Sequence, residues 1–178
     1  LNCTNTIIVL SATSDSTVSY KWSDGTINAS TTVDNTVADG SVYAVTLTNT
    51  TNGCTATDAV TVSVSTDNPE IGIQGNETLN CTTTEIVLTV TSNKTVSYNW
   101  STGATVSTIV VSNAVADGTV YSVEITDAVN GCTSSASISV SVDIASPTVT
   151  IPAVGQIDCA TTERTLVANT NAAHAVSY

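Results

Sequence analysis

The stretch VADGSVYAVTLTNTTNGC, residues 37 to 54, recurs as VADGTVYSVEITDAVNGC, residues 115 to 132. The offset is general: Cys81 follows Cys3, Trp100 follows Trp22, Tyr121 follows Tyr43 and Cys132 follows Cys54, each by 78 residues. A fixed period of this length makes the chain a tandem array in which each copy folds as its neighbours do. A third copy opens at IDCATTERTLVANT, with Cys159 again 78 residues after Cys81. A two-residue insertion then places Tyr178 at 80 residues from Tyr98, and His174, the only histidine, falls inside it. Pro69 in STDNPEI and Pro147 in VDIASPTVTI interrupt any β-ladder and mark short linkers. The expected division is residues 1–66, lacking a first strand; 67–144, complete; and 145–178, the N-terminal part of a third repeat. A chain without Met reads as a mature interior segment of something longer.

Within the complete repeat, alternation of period two predicts strands over residues 85–92, 95–100, 106–112, 119–127 and 134–142. The stretches PEIGIQG and TLNC supply a leading edge, for about seven strands in all. Asn130-Gly131, like Asn52-Gly53, predicts a tight hairpin turn, since both residues tolerate positive φ. Thr, Val and Ser dominate and Phe is absent, a composition that suits pleated surfaces better than helices. The fold class is therefore all-β, as tandem immunoglobulin-like antiparallel β-sandwiches. Val96, Tyr98 and Trp100 alternate onto one face of the third strand, where such domains place a core Trp, and Asp117 four residues before Tyr121 matches a tyrosine corner. The expected core aromatics are Tyr20, Trp22, Tyr43, Tyr98, Trp100 and Tyr121.

Only Lys21, Lys94 and Arg164 oppose fifteen acidic residues, for a net charge of -12. Such a surface repels phosphate backbones, so nucleic acid is excluded as a partner. No apolar run approaches the roughly 18 residues that a membrane span needs.

Each repeat carries one Cys before its second strand (Cys3, Cys81, Cys159) and one after its last hairpin turn (Cys54, Cys132). Close-spaced Cys pairs with nearby His, the usual mark of a zinc site, do not occur, and regular pairs in a Thr-rich chain suggest disulfides formed in an oxidising compartment. Two pairings stay open. Parity suggests bonds within a repeat, Cys3 with Cys54 and Cys81 with Cys132. Topology suggests bonds between repeats, because the start of the second strand and the last hairpin lie at opposite ends of a sandwich, about 26 Å apart at ~3.3 Å per residue, whereas a disulfide needs Cα atoms about 4.4 to 6.8 Å apart. On the second scheme Cys3 joins Cys132, and Cys54, Cys81 and Cys159 pair beyond this segment.

The ordered set LNCTTTEIVL, SYNWSTGAT and ADGTVYSVEITDAVNGCTSSASISVSV, with a Pro-bearing linker, resembles the tandem Ig-like or PKD-like repeats of large secreted surface proteins in Bacteroidota. The resemblance covers the whole chain. It implies an adhesin or gliding-associated protein exported by type IX secretion, at the cell surface or outside the cell. Two departures are SYKWSDGTI, with Asp in place of Thr, and Arg164 at the position of Ile86.

Catalysis would need a nucleophile with a base, paired acids or a metal cluster, and His174 has no counterpart in the other copies, so no enzyme is expected. Asp39 and Asp117 are turn residues on this reading. Calcium is the one cofactor the sequence suggests, through Asp67, Asn68 and Glu70 at the first linker, although the second keeps only Asp143. Asn2, Asn28, Asn49, Asn76, Asn80, Asn93 and Asn99 head N-x-S/T triplets that stay unmodified in a bacterial protein, while Ser16 in Asp15-Ser16-Thr17 matches a short O-glycosylation signal of Bacteroidota. The expected function is a stiff stalk or filament, with repeats of roughly 40 Å each, whose partners are neighbouring repeats and identical chains pairing through Val- and Thr-rich edges. The alternatives are a carbohydrate- or calcium-binding module, or a spacer attached to a catalytic domain. A sugar site would need aromatic platforms, yet every Trp and Tyr falls at a repeated strand position.

Overall fold

The protein is described by a computed structural model covering residues 1–75, 78–155, 159–160 and 163–170. His174, Tyr178 and Asn76 lie outside the described residues. The elements in order are β1 (Ile7–Ser11), β2 (Val18–Trp22), β3 (Ser30–Asp34), β4 (Ser41–Asn49), β5 (Thr55–Val62), β6 (Ile71–Gln74), β7 (Leu79–Asn80), β8 (Glu85–Ser92), β9 (Val96–Trp100), β10 (Thr108–Ser112), β11 (Thr119–Asp127), β12 (Thr133–Val140), β13 (Val142–Asp143), β14 (Val149–Thr150) and β15 (Asn169–Thr170).

In the second copy two antiparallel sheets form, ordered β10-β8-β6 and β12-β11-β9. Alternation decides which side chains meet between them. Ile86, Leu88 and Val90 from β8 and Val111 from β10 pack against Trp100, Val123, Ile125 and Val140 of the opposite sheet as one buried cluster. Each such aliphatic side chain contributes roughly 1.5–3 kcal/mol on burial. The parallel pairing of β7 with β13, Leu79 with Val142, crosses from one sheet to the other and closes the side of an immunoglobulin-like sandwich. The first copy repeats the plan with β1-β3 facing β2-β4-β5, and a bridge between Asn2 and Ser65 occupies the place of β7-β13.

Both tryptophans are buried, and each indole Nε1 donates to a backbone carbonyl six residues on, Trp22 to Asn28 at 3.0 Å and Trp100 to Val106 at 2.9 Å. The tyrosines differ from expectation. Tyr20, Tyr43, Tyr98 and Tyr121 are half-buried, with Tyr98 and Tyr121 against the margin of the cluster, where a polar hydroxyl keeps access to water. The Asp of each expected tyrosine corner binds elsewhere. Asp117 Oδ1 accepts from Val142 N at 2.8 Å and Asp39 Oδ1 from Val64 N at 2.7 Å, so Asp117 anchors β13 and Asp39 anchors the segment after β5.

The hairpin turn is also a correction. No non-glycine residue has positive φ among those described, so Asn130-Gly131 does not form the two-residue turn. Instead the chain from Asp127 to Cys132 closes with Asp127 N donating to Cys132 O at 2.8 Å and Gly131 N donating to Asp127 O at 3.0 Å, with only Gly131 left-handed at φ 70°. Asn49 and Cys54 close the same loop in the first copy. The physical reason is the side chain before the turn: Asp127 Oδ1 accepts from Val129 N at 2.8 Å and Asn49 Oδ1 from Thr51 N at 2.8 Å, which favours a four-residue loop.

Candidate functional site

The site with the densest unexplained chemistry lies where the turn between β11 and β12 meets the start of the first copy and the linker after β5. Cys3 is bonded to Cys132, with Cα atoms 5.0 Å apart across 129 residues of sequence. Cys132 is buried and Cys3 exposed, so the bond reaches from the surface of one copy into the end of the other. Cys3 N donates to Asn130 O at 3.1 Å beside it. Gly131 is required here: its φ is left-handed, and a Cβ would collide with the Thr4 side chain of the first copy.

Local sequence prepares each half. Asn2 Oδ1 accepts from Thr4 N at 3.0 Å and Asn5 N at 2.6 Å, folding the loop that carries Cys3. Asn80 does the same for Cys81 through Thr82 N and Thr83 N. Asn130, only 2% exposed, is the hub. Its Oδ1 accepts from Cys132 N at 3.0 Å, and its Nδ2 donates to Asp67 O at 3.0 Å and Ser65 Oγ at 3.3 Å in the linker. Further along the linker, Ser134 Oγ donates to Pro69 O at 2.6 Å and Glu70 N donates to Asn93 Oδ1 at 3.0 Å.

One ion pair completes the junction. Lys94 Nζ lies 3.0 Å from Asp127 Oδ2 and donates to Asp67 O at 2.6 Å. The Val129 N–H and then the Lys94 ammonium hold the Asp127 carboxyl below its ordinary range. Asp24 and Asp34 are lowered as well, first by the Thr31 and Thr36 hydroxyls respectively. Asp24 is the residue that departs from the repeat motif, and its Oδ2 accepts from Thr31 at 2.6 Å to tie the β2-β3 connection.

Two predictions arise here. Asn130→Ala leaves the buried Cys132 N–H without its acceptor and frees the linker, and is expected to cost about 1–3 kcal/mol in chemical denaturation. Acid should loosen the junction: with the folded Asp127 value lowered, its contribution is complete above the unfolded value near 3.9 and is lost as pH falls through the folded value. Thermal melts from pH 6 to pH 2 should show this decline, and Asp127→Asn should flatten its part of it.

The other sequence-derived residues are placed as follows. Cys54, Cys81 and Cys159 are free and exposed. Asp67 contributes its backbone carbonyl, which the Lys94 ammonium and Asn130 occupy, while the Glu70 backbone N–H points to Asn93. Asn68 lies between them and is exposed, and no cluster of three His, Cys, Asp or Glu suited to a metal forms among the described residues. Ser16 is exposed between β1 and β2, its hydroxyl 3.2 Å from Asp15 Oδ1. Sequence reasoning missed Lys94, Asp127 and Asn130. A signal was present, since Lys94 and Asp127 are a rare cation and an acid in the second copy where the first has Ser16 and Asn49.

No known protein family matches the sequence, and no curated protein matches it. Among solved structures, the chain is similar to the amphioxus IgVJ-C2 molecule at 11% sequence identity, over 77% of this chain and 97% of that one, with a TM-score of 0.31. The assignment of an immunoglobulin-like sandwich therefore rests on the sheet order and shared core of the chain itself.

Proposed function

We propose that this segment is a non-catalytic structural array, residues 1–66, 67–144 and 145–178 being successive repeats of a stiff stalk or filament in a bacterial surface adhesin. The observation that carries the reading is the clamp between copies: the Cys3–Cys132 bond together with the linker held by Asn130, Lys94 and Ser134. A covalent bond plus several hydrogen bonds across one joint resists bending there, whereas a free linker would let each repeat swing. Because the same half-sites recur at Cys54 and Cys81, the proposal extends the clamp to repeats on either side. The adhesin role and surface location come from the resemblance of the motifs, and regular disulfides suit an oxidising exterior.

Small-angle scattering of the 178-residue chain with and without reductant tests this. The expected result is a rigid profile when oxidised that turns flexible after reduction. Equal flexibility in both states would remove the mechanical basis of the proposal.

A further inference from the structure

In the second copy β6 lies against β12 on one side of the sandwich, so the two sheets end on the other side at β10 and β9. The connection between those strands, residues 101–107, contains no strand that could cover them. The β9 edge is closed at one end by its own turn, where Trp100 N donates to Ala104 O at 2.9 Å and Gly103 N donates to Trp100 O at 2.8 Å. The β10 edge is open. Among the described residues β10 pairs only with β8, and the bonds at its two ends, Val90 N to Ser107 O and Asn113 N to Thr84 O, both 2.9 Å, set the direction of every backbone group between them. Ile109 and Val111 turn theirs to β8, while Thr108, Val110 and Ser112 turn theirs outward. Among these outward groups Ser112 O alone has a partner, Val115 N at 3.5 Å, and a carbonyl keeps a second lone pair. The strand Thr-Ile-Val-Val-Ser carries neither charge nor proline, the usual protection of an edge.

We infer that β10 pairs antiparallel with β10 of a second copy of this chain, about a two-fold axis at Val110. In that register Val110 exchanges both backbone bonds with its counterpart and Thr108 does so with Ser112, so every outward group finds a partner. The side chains agree. Val110, 63% exposed, lies opposite Val87, 52% exposed, on the outer face of the sheet, and joining the edges lines up both valines of each chain across one continuous sheet. No like charges meet at the seam, because Thr108 and Ser112 flank its centre. The first copy is less suited: β3 has Thr32 in place of Val110 and Asp34 in place of Ser112, which puts a carboxylate on the edge. A strand of five residues buries less than the about 1,200 Å² of a stable interface, so the dimer is weak and reversible. The pairing deepens the filament reading by naming the edge that joins identical chains; it rests on that reading for its purpose, not for its geometry.

The test is sedimentation equilibrium of the oxidised 178-residue chain, with the thiols of Cys54, Cys81 and Cys159 alkylated so that no disulfide joins two molecules. A reversible equilibrium of monomer and dimer is expected below about 1 mM. Val110→Lys, at an exposed position, should weaken it at least about tenfold, whereas Thr32→Lys on the matching edge of the first copy should leave it unchanged. Amide exchange read by NMR locates the seam without a substitution: the Val110 N–H should exchange more slowly as protein concentration rises, and the Thr32 N–H should not. A chain that stays monomeric up to about 1 mM would overturn the inference. So would an association that Val110→Lys leaves intact, one that Thr32→Lys weakens as much, or a Val110 amide whose exchange ignores concentration. Stiffness is read separately, by scattering from the dilute monomer with and without reductant, so either result can fail alone.

Discussion

Replacing Cys3 with Ala is expected to destabilise the oxidised chain by about 5 kcal/mol, the chain-entropy value for opening a cross-link that spans 129 residues. Cys3 is the cleaner end to remove. Its side chain is exposed, so little packing is lost, whereas truncating the buried Cys132 would also leave a void. The Asn130, Lys94 and Ser134 contacts to the linker remain in the variant, which separates the covalent from the hydrogen-bonded part of the clamp. Denaturant unfolding of both proteins measures the difference, and adding reductant should bring the unsubstituted chain down to the variant. A difference under about 1 kcal/mol, close to a typical surface change, would mean that the bond does not constrain the unfolded chain.

Trp100→Ala is expected to cost about 3–5 kcal/mol. The indole is 2% exposed, opposes Val123 in register, and donates to Val106 O at 2.9 Å, so its loss combines a large cavity with an unpaired carbonyl. Trp22→Ala should cost less. The first-copy core is less closed, with Ile8 and Leu10 half-buried where Ile86 and Leu88 are buried, so part of the space vacated by Trp22 is already open to water. Comparing the two variants by denaturant unfolding, followed by circular dichroism so that both copies are read, checks both the size and the order. Equal losses would contradict the ranking drawn from the difference in core burial.

Much of the fold was legible because period-two alternation is strong where one strand face is buried. Residues 85–92 and 119–127 form β8 and β11 with those bounds, and Val96, Tyr98 and Trp100 share a face as the pattern requires. The turn was not legible from Asn-Gly alone, because Asp127 and Asn49 redirect the loop through their own side chains. The role of the two turn aspartates was not legible either: Asp117 accepts from Val142 N in β13, and Asp39 accepts from Val64 N in the segment after β5. At the linker, spacing gave no sign of the contact that forms there, in which the Asp67 carbonyl accepts from the Lys94 ammonium. Asn130 could not be recognised as a hub from spacing, since its partners Ser65 and Asp67 lie more than 60 residues away in sequence.

The covalent clamp between copies is defined by which cysteine is bound to Cys132. Non-reducing peptide mapping by mass spectrometry of the oxidised chain reads this without reference to shape or stability. The expected result is a cross-linked peptide pair containing Cys132 and Cys3, with the bond lost on reduction. A pair containing Cys132 and Cys81 would mean that each repeat is stapled within itself, leaving the junction to hydrogen bonds and one ion pair and removing the covalent clamp on which the stiff-stalk reading rests.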